Sequence, residues 1–578
     1  MDNLKLNCIQ VNLQHSRTAT TNLVQLLINH SIDIAFIQEP YTINNKLAII
    51  PKKMRVYTCG HRRKRAAIII NNKDIDATTI IQFSDEDCTV VQFNYKKKIF
   101  YAASMYFDGE SLIEEDLRKM DTILNNTKGY GLIILADTNA RSKLWYDKIN
   151  TDRGKKLEEF LTVNSLHIRN DNTEIPSFET ARGKSWIDLT VSNHILLGHI
   201  TDWSIGDEES CSDHKLITFK IGEVSHATTR TSQRLRYITT EEGYNKFNHQ
   251  LAAHLSKTFK CERNLIDLDQ ELAETVRQYE NKELPVLFKN LQKCLSDTCR
   301  TSFRISKGKS TSSNRKSVPW WTPELTIMRK KVNALRRRYQ RTKNDEILRQ
   351  ERKNKYLEGS HQYQSIINME KLNSWKQFCS ITEGSNPWNA VYKIAANKLR
   401  ENSTLTTLQK EDGTYTNDMT DTLDYMMDHF SPTDNEQDDN EKQGQIRKTV
   451  EEPIDTPDDI PFTKEEILAV IRFNPKKSPG EDGITSDIIL RAFLLFPLFF
   501  TTAYNICLQK SIFPNQWKHS LVIPIIKPGK EESNSVTKYR PISLLNVAGK
   551  VLEKLMINRI LHSINSRCLL NTKKYGFT

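Results

Sequence analysis

The sequence contains no apolar run long enough to span a lipid bilayer. Its longest apolar stretch, Ala492 to Tyr504, is interrupted by Pro497 and falls short of the ~20 residues that a membrane helix needs. The first residues, Met1 to Asn12, lack the basic start and the apolar centre of a secretory signal. We therefore expect a soluble protein with no membrane partner.

The cysteines show no spacing that is typical of a metal site or of a disulfide framework. There are ten of them, scattered along the chain without a Cys-x-x-Cys pair or a matching pair of histidines. Reduced thiols are the rule in the cytosol and the nucleus. The cysteines therefore favour one of these compartments over an extracellular one.

The length and the net charge of the chain indicate how many domains it has and what kind of partner it binds. At ~150 residues per domain, 578 residues suggest three or four domains. The formal net charge of +12 favours a polyanionic partner. A generically basic protein without such a partner is the alternative at this point.

The stretch Gly131 to Asn139 combines an apolar run, Leu132 to Leu135, with Asp137 and Asn139 directly after it. A short apolar run bounded by polar residues is typical of a strand that is buried on both faces. We expect both polar side chains at the C-terminal end of this strand, facing a cleft. A solvated loop after a core strand is the alternative.

Other segments before Lys220 alternate in hydrophobicity or form short apolar runs. Together with two helical patterns they predict an α/β or α+β sandwich that closes near Lys220. The predicted strands are Leu4 to Asn12, Ile32 to Ile37, Ala66 to Ile70, Thr89 to Phe93, Ile99 to Ser104, Trp186 to Val191 and Leu216 to Phe219. The predicted helices are Thr18 to Asn29 and Ser111 to Asn125.

After residue 221 the pattern becomes mainly helical and basic. Thr301 to Ser317 is rich in Ser, Lys and Arg, which favours a flexible linker, and a long basic helix follows. A helix that is polar on every side is usually solvated, but interleaved aromatic residues favour a region that faces nucleic acid. These aromatic residues are Trp320, Trp321, Tyr339, Tyr356, Trp375 and Trp388.

Asn417 to Asp459 is acidic and poor in apolar residues, which predicts a disordered or weakly ordered spacer. Structure is expected to resume at Thr463, because Thr463 and Glu466 form a capping box. These boundaries divide the chain into four predicted domains: residues 1–221, a basic connector at 222–416, a linker at 417–460 and a C-terminal domain at 461–578.

Polar residues at six places end predicted strands or lie in the loops next to them. A hydrolase of phosphodiesters needs a hard cation, an oriented water and donors for the charge on the phosphate. The six places are Asn12, Glu39, Tyr106, Asp137 with Asn139, Asp188, and Ser212-Asp213-His214.

These residue types match that chemistry. Mg²⁺ binds through one or two carboxylates and keeps several waters, so Glu39 assisted by Asn12 is a sufficient protein contribution. Asp137 could orient or deprotonate the water. His214 could donate to the phosphate while Asp188 holds its other ring nitrogen. Taken alone, each residue also has a purely structural interpretation.

In their order along the chain, the motifs around these residues resemble the endonuclease/exonuclease/phosphatase superfamily. More narrowly, they are similar to the apurinic-endonuclease-like domain of non-LTR retrotransposons, over roughly residues 4–221. The motifs are Gln38-Glu39-Pro40-Tyr41, Ser104-Met105-Tyr106, Ala136-Asp137-Thr138-Asn139-Ala140, Ile187-Asp188-Leu189-Thr190 and Ser212-Asp213-His214. The resemblance implies a four-layer α/β sandwich with the active site at one end.

The resemblance also implies a role for each site residue. Glu39 would bind Mg²⁺ (or Mn²⁺) with Asn12 and Asp213 near it. Asp137 and Asn139 would place the water and the phosphate, Tyr106 would contact the scissile phosphate, and Asp188 would support His214. One departure is Ala136, which stands where the family usually has glycine; alanine is small, so we expect no loss of function.

A basic segment, Lys52 to Arg65, is a candidate contact for the DNA backbone, with a solvated loop as the alternative. Its last cations are Arg62, Arg63, Lys64 and Arg65.

The C-terminal part resembles the start of a non-LTR retrotransposon reverse transcriptase, the fingers region. The motifs are Lys477-Ser478-Pro479-Gly480-Glu481-Asp482-Gly483, Ile523-Pro524-Ile525-Ile526-Lys527-Pro528-Gly529-Lys530 and Lys538-Tyr539-Arg540-Pro541. The resemblance implies that Lys527 and Arg540 would grip a nucleotide's phosphates. The palm aspartates of this family would lie beyond Thr578, so we expect no polymerase activity from this chain.

The sequence therefore predicts a Mg²⁺-dependent DNA endonuclease of a non-LTR retrotransposon. It would nick DNA in the nucleus to leave a 3′-hydroxyl that primes reverse transcription, with the element RNA as a further partner of the full-length protein. Two alternatives stay open: a superfamily phosphatase, and a catalytically inactive remnant that only binds nucleic acid.

Overall fold

The structure is a computed structural model, and all statements below concern the residues that it describes. These are residues 5–96, 98–171, 175–180, 183–206, 208–222, 235–261, 265–279, 281–305, 319–342, 345–381, 404–451, 459–472, 478–527, 529–530 and 533–567. Trp388, Lys477 and the main part of the predicted linker at Thr301 to Ser317 lie outside them.

The chain forms two compact units. The first unit comprises Met1–Thr231, Thr311–Pro432 and Pro528–Lys538, and the second comprises Ser232–Ser310, Thr433–Lys527 and Tyr539–Thr578. The four consecutive domains that we predicted from the sequence differ from these two units, each of which is made of three separate segments. The predicted domain limits remain a prediction.

The strands, in chain order, are β1 Leu6–Asn12, β2 Ile34–Gln38, β3 Thr42–Ile43, β4 Lys46–Leu47, β5 Arg55–Tyr57, β6 Ala66–Ile70, β7 Ile75–Thr79, β8 Cys88–Tyr95, β9 Lys98–Tyr106, β10 Gly131–Asp137, β11 His167–Ile168, β12 Phe178–Glu179, β13 Lys184–Ser185, β14 Asp188–Ser192, β15 Ile200–Ile205, β16 Ile217–Ile221, β17 Tyr237–Ile238, β18 Arg304–Ile305, β19 Leu405–Thr406, β20 Ser520–Ile526 and β21 Tyr539–Leu545.

The helices are α1 Arg17–Asn29, α2 Ile113–Asn126, α3 Asp152–Val163, α4 Glu241–Phe259, α5 Leu265–Arg277, α6 Leu284–Ser302, α7 Pro323–Arg341, α8 Glu346–Ile381, α9 Met419–Phe430, α10 Glu441–Glu451, α11 Lys464–Arg472, α12 Ser486–Leu495, α13 Pro497–Gln509, α14 Asn515–Lys518 and α15 Val547–Ser566. The strands and helices predicted before Lys220 are all present, with ends that shift by a few residues.

The first unit contains two mixed sheets. One has the strand order β15-β16-β1-β2-β6-β5 and the other β11-β14-β10-β9-β8-β7-β19. Their central strands β2, β6 and β10 are buried at every position, as the apolar runs of Ile34–Gln38, Ala66–Ile70 and Gly131–Asp137 predict. Each sheet is thus covered on both faces, by the other sheet on the inner face and by helices on the outer face.

Three separate apolar clusters show that the unit has four layers. The first cluster lies between the sheets and includes Phe36 and Phe219. The second packs α1 against the first sheet through Leu23, and the third packs α2 and α3 against the second sheet through Leu157. Each fully buried aliphatic or aromatic side chain contributes about 1.5–3 kcal/mol. The predicted four-layer α/β sandwich is confirmed.

Amide side chains join the two sheets beneath the end of the sandwich that carries Asp137. Gln10 of β1 donates to the carbonyl oxygens of Ala136 and Leu189, each over 3.3 Å. Gln38 of β2 donates to Ser104 Oγ over 3.0 Å and to the carbonyl of Leu135 over 3.1 Å. Buried polar groups are stable only when they are hydrogen-bonded, so these amides fix the spacing of the sheets at this end.

The basic helices α7 and α8 form a hairpin that packs on α1 rather than a solvated rod. The side chains of Leu325, Val332, Tyr363 and Ile367 belong to the same buried cluster as the core of α1. Trp320, Trp321 and Tyr356 pack against this cluster, and Tyr339 is buried. Packing within the first unit thus occupies these four aromatic side chains, and the contact of this region with nucleic acid stays a prediction; Trp375 is 45% exposed.

The acidic segment 417–459 also carries structure. Strand β19, which precedes this segment, extends the second sheet by pairing in parallel with β7. Helix α9 lies within the segment, and its first N–H donates to the side-chain oxygen of Gln92 over 2.8 Å. Helix α10 lies in the second unit. Where a disordered or weakly ordered spacer was expected, the described residues thus form two helices.

The second unit is mainly helical and contains the two-stranded sheet β20-β21. Its core gathers side chains of α4, α6, α12 and α13, among them Phe247, Phe288 and Phe493. The predicted capping box is present at the start of α11: the Glu466 N–H donates to Thr463 Oγ1 over 3.1 Å and the Thr463 N–H to Glu466 Oε2 over 3.4 Å.

Within the described part of the chain, no single helix is both long and apolar enough to cross a membrane. The pair α12 and α13 meets that test only jointly and is bent by 111°.

Candidate active site

The ends of neighbouring strands bring most of the predicted site residues together. Tyr106 ends β9, Asp137 ends β10 and Asp188 begins β14, and the strand register places these three residues side by side. In the other sheet, Asn12 at the end of β1 pairs with Gln38 at the end of β2, directly before Glu39. A single end of the sandwich thus carries the candidate site.

Asp188 and His214 form a buried pair. His214 Nδ1 lies 3.0 and 3.1 Å from the two carboxylate oxygens of Asp188, and both residues are less than 5% exposed. A carboxylate can only accept, so Nδ1 carries a proton and donates. Burial by itself would lower the pKa of His214, but the charges of Asp188 and Asp137 raise it to about 9. The imidazole is therefore an imidazolium at neutral pH.

Asp137 lies on the other side of this imidazolium. Its Oδ2 is 3.8 Å from His214 Nε2 and accepts a hydrogen bond from Asn12 Nδ2 over 2.8 Å. Burial raises the pKa of Asp137 to about 7, with the nearby charge of Asp188 acting in the same direction. A carboxylate with a pKa near neutrality can exchange a proton with water at physiological pH.

Glu39 follows β2 in a left-handed backbone conformation, with φ +45°. Its Oε1 lies 3.3 Å from His15 Nε2, and its side chain is 19% exposed. Burial alone would raise the pKa of Glu39, but hydrogen bonds from His15 and Asn12 hold it below its ordinary value. Glu39 is thus an ionised, half-buried carboxylate at the edge of the site.

These donors fit a hard divalent cation. Glu39 offers an ionised carboxylate and Asn12 an amide oxygen, which are oxygen ligands of the kind that Mg²⁺ takes. Asp137, Asp188 and His214 also lie close enough together to ligate an ion, within 4.8 Å of one another. In that cluster, however, a cation would have to replace the protons of an imidazolium that both carboxylates stabilise, so Glu39 is the better position.

Tyr106 and Arg65 lie next to this carboxylate edge. Burial raises the pKa of Tyr106, and the charges of Glu39 and Asp137 raise it further, so its hydroxyl stays protonated. The guanidinium of Arg65 lies over the Tyr106 ring, 5.0 Å from its centroid. It also donates to Asp87 and Asp108 at 2.5–2.7 Å.

Two predicted site residues make contacts that point to a supporting role. Asn139, with φ +46°, donates from Nδ2 to the carbonyl of Phe107 over 2.9 Å and from its backbone N–H to Asp137 Oδ1 over 3.3 Å. Asp213 is exposed, and its Oδ2 accepts from Gln14 Nε2 over 3.2 Å. Neither belongs to the buried cluster of Asp137, Asp188 and His214.

The basic segment is not a single loop. It contains the edge strand β5, and the Arg55 guanidinium is bound to backbone carbonyls of Asn72 and Ile75. Arg62 and Arg63 are exposed and Lys64 is half-buried. Arg65 is held by two aspartates, so its guanidinium is committed within the protein instead of pointing outward.

The sequence analysis missed two residues of the site, His15 and Phe178. His15 binds Glu39, while its Nδ1 lies 3.0 Å from the carbonyl oxygen of Pro40. The ring of Phe178 packs on the imidazole of His214, with 4.7 Å between centroids. His15 stands only three residues after Asn12, a signal that could have been used; nothing in the sequence marks Phe178.

In the second unit, the two predicted nucleotide ligands lie at the same end of the β20-β21 hairpin. Lys527 directly follows β20, and Arg540 pairs with Ile525 of that strand. The Arg540 residue is exposed.

Comparisons with known proteins show what this chain is similar to. Residues 100–218 match a protein family described as endonuclease-reverse transcriptase. This match covers Tyr106, Asp137, Asn139, Asp188 and His214. Along its whole length, the chain is similar to proteins encoded by type-1 retrotransposable elements. The chain is therefore similar to retrotransposon proteins.

One such relative is a putative 115 kDa protein in the element R1DM of Drosophila melanogaster, 27% identical over 98% of this chain and 53% of its own length. A second is a Pol polyprotein from the element R1 of Bradysia coprophila, 25% identical over 86% of this chain and 48% of its own length. The chain thus spans about half the length of these relatives. Among solved structures, the endonuclease domain of TRAS1, a telomere-specific non-LTR retrotransposon, is 29% identical, with coverage of 37% of this chain and 98% of that domain and a TM-score of 0.34.

Proposed function

We propose that this chain is a metal-dependent DNA endonuclease that nicks target DNA for a non-LTR retrotransposon. The observation that carries the proposal is the buried Asp188–His214 pair, which lies beside Asp137 and at the same end of the sandwich as Glu39. A cluster of two carboxylates and an imidazolium is expensive to bury. Its presence at strand ends favours a catalytic role.

In this proposal, His214 donates from Nε2 to a phosphate oxygen as negative charge develops there. Asp188 holds the ring in its orientation and keeps it protonated. Asp137 orients the attacking water and takes its proton, which its pKa of about 7 allows. Tyr106, whose hydroxyl stays protonated, donates a further hydrogen bond to the scissile phosphate.

Glu39 and Asn12 are the residues that would hold the metal ion, which we propose is Mg²⁺ or Mn²⁺. When bound, such an ion supplies Lewis-acid stabilisation of the charge on the phosphate oxygens. Glu39 meets the requirement for an ionised ligand, because His15 and Asn12 keep its pKa low. Asp213, which is exposed near this edge, is a further candidate ligand.

The proposed reaction hydrolyses one strand of DNA. The water oxygen bonds to phosphorus, the bond from phosphorus to the 3′ oxygen breaks, and that oxygen takes a proton to become a 3′-hydroxyl. The 3′-hydroxyl would then prime reverse transcription of the element RNA by the full-length protein in the nucleus. Relatives named as RNA-directed DNA polymerases from mobile elements support this setting.

The test is nicking of supercoiled plasmid DNA with Mg²⁺ by the wild-type chain, His214→Ala and Asp137→Asn. We expect the wild type to nick and both variants to nick at least ~100-fold more slowly. Nicked product that a DNA polymerase extends without phosphatase treatment demonstrates the 3′-hydroxyl. Equal rates for the wild type and both variants would rule out this active site.

Two other functions predict different results in the same experiment. A superfamily phosphatase would release phosphate from small phosphoesters and leave the plasmid intact. A remnant that only binds nucleic acid would show salt-dependent binding that persists in His214→Ala, without any cleavage by the wild type.

For the second unit we propose that Lys527 and Arg540 contact the phosphates of a nucleotide in the full-length protein. Their position at one end of the β20-β21 hairpin supports this role. The expected lack of polymerase activity in this chain stays a prediction, which primer extension on an RNA template would check.

A further inference from the structure

The helical hairpin α7–α8 reaches the segment that leads into the catalytic loop. Asn333 of α7 accepts at Oδ1 from the backbone N–H of Glu209 over 3.0 Å and donates from Nδ2 to Glu208 Oε2 over 3.0 Å. Arg336 donates to the carbonyl of Glu208 over 2.7 Å. Tyr356 of α8 donates from its hydroxyl to Glu209 Oε2 over 2.8 Å.

Glu209 is the end point of these contacts. It is 2% exposed, and its second carboxylate oxygen, Oε1, accepts from the backbone N–H of Cys211 over 3.0 Å. A buried carboxylate that loses a hydrogen-bond donor is strongly destabilised. The Tyr356 hydroxyl therefore restricts where the backbone at residues 208–211 can lie.

A short series of hydrogen bonds continues from Glu209 to His214. Ser210 Oγ donates to the carbonyl of Ser212 over 2.9 Å. Ser212 Oγ donates to the carbonyl of Asn12 over 2.8 Å and accepts from the His214 N–H at 3.3 Å. The positions of His214 and of the end of β1 therefore depend on the position of Glu209.

The hairpin also contacts the other side of the loop through Glu179. The Tyr339 hydroxyl donates to Glu179 Oε1, and Lys215 Nζ donates to Glu179 Oε2 over 2.9 Å. The Glu179 N–H donates to the carbonyl of Asp213 over 3.0 Å. Asp213 and Lys215, on either side of His214, are therefore linked to Tyr339 of the hairpin through Glu179.

The two tyrosines are themselves packed together. The rings of Tyr339 and Tyr356 are parallel to within 7°, with centroids 6.3 Å apart. Gly359 of α8 lies against α7, where an added Cβ would come within 3.0 Å of Leu335. The hairpin is anchored on α1 by Tyr363, which donates to Asn22 over 3.0 Å, and by Lys371, which donates to Thr21 over 2.7 Å.

We propose that Tyr339 and Tyr356 are positioning residues of the nuclease, which hold the loop of His214 through Glu179 and Glu209. This inference rests on the proposed function, and it assigns part of the catalytic apparatus to helices outside the matched region 100–218. A displacement of about 1 Å at a reacting group can slow catalysis by ~100-fold, so loss of either hydroxyl should act on catalysis more than on DNA binding.

The test compares Tyr356→Phe, Tyr339→Phe and the double variant in the full chain. The matched control is Tyr101→Phe, which removes another buried tyrosine hydroxyl, the one that accepts from Gln92 over 2.9 Å. We expect kcat for nicking to fall by ~10-fold in each hairpin variant, with KM changed less than twofold and the control unchanged. Hairpin variants that lose as much thermal stability as the control but keep kcat would overturn the proposal.

Amide hydrogen exchange gives a readout that does not need nicking. We expect faster exchange over residues 208–216 in both hairpin variants and unchanged exchange there in Tyr101→Phe. If the wild type does not nick, faster local exchange still supports the positioning of this loop, while the proposed function fails separately. Exchange at residues 208–216 that equals the wild type in both hairpin variants would overturn the inference.

Discussion

Asn12 donates from Nδ2 to Asp137 Oδ2 over 2.8 Å, across the gap between the two sheets. The two residues are separated by 125 positions in the sequence. Asn12 also forms a hydrogen bond to Glu39, the proposed metal ligand. Its bond to Asp137 therefore links that ligand to the carboxylate that would orient the attacking water. Both halves of the chemistry therefore depend on this one amide.

The first prediction concerns this amide. Asn12→Ala should lower the nicking rate by about 100-fold, because Asp137 loses its donor and Glu39 loses a partner. The control is Asn7→Ala on the same strand, whose side chain donates to the carbonyl of Ser31 instead; its nicking rate should match the wild type. Equal losses in both variants would show that β1 is merely destabilised.

The second prediction concerns the metal ion. Glu39→Gln should abolish binding of Mn²⁺ measured by titration calorimetry and slow nicking by at least ~100-fold, because a neutral amide replaces the ionised ligand. Affinity for DNA should remain. The control is Glu110→Gln, an exposed residue, and Mn²⁺ binding that survives in Glu39→Gln would place the ion elsewhere.

The third prediction concerns pH. His214 must be protonated to donate, and its pKa is raised to about 9, so the single-turnover nicking rate should fall as pH rises through about 9. Asp188→Asn removes the charge that contributes most to raising this pKa. The fall should then occur at least one pH unit lower, and an unshifted fall would contradict the assignment of His214 as the donor.

The fourth prediction separates two roles of the basic segment. Arg65→Lys keeps the charge but loses the paired hydrogen bonds to Asp87, so it should slow nicking ~10-fold with DNA affinity unchanged. Arg62→Gln combined with Arg63→Gln should weaken DNA binding and reduce the slope of log K against log salt by ~0.9 per lost phosphate contact. The reverse pattern would make Arg65 the DNA contact.

The fifth prediction concerns stability. Burial raises the pKa of Asp116 to about 7, and its Oδ2 meets no donor among the described residues. The pKa of Asp116 is higher in the folded protein than in the unfolded chain. The contribution of the protonated Asp116 to the free energy of unfolding is therefore fully present below about pH 4 and is lost as pH rises through about 7. Asp116→Asn should therefore raise Tm at pH 8 and leave it unchanged near pH 4. An equal rise at both values would contradict this.

The sandwich could be predicted because its strands are short apolar runs. Segments such as Ala66–Ile70, all buried, show the pattern of a doubly covered strand directly in the sequence. The position of Asp137 and Glu39 at one end of the sandwich could be expected for a related reason. Asp137 and Glu39 directly follow such runs, and strand ends are where polar side chains gather.

The role of α7 and α8 could not be predicted, because polar residues share their buried face with the apolar ones. Arg336 is 3% exposed and Asn333 8% exposed, yet in a sequence such residues indicate a solvated surface. Their burial depends on the carbonyl and the carboxylate of Glu208 and on the backbone N–H of Glu209, more than 120 residues away.

In the sequence, the local run of cations likewise favours Arg65 as a contact for DNA. It ends a run of cations, and its partners Asp87 and Asp108 lie 22 and 43 positions further along the chain. Sequence patterns of this kind report local charge, whereas the pairing of a particular side chain is decided by the tertiary fold.

The bond between Asn22 and Tyr363 spans 341 positions and has a consequence for biosynthesis. A ribosome adds ~5–20 residues per second, so α1 waits on the order of 20 to 70 s for the helix that covers it. During that interval an apolar face of the nascent chain is open to chaperones. The covering of α1 should therefore be complete only after more than half of this polypeptide has emerged.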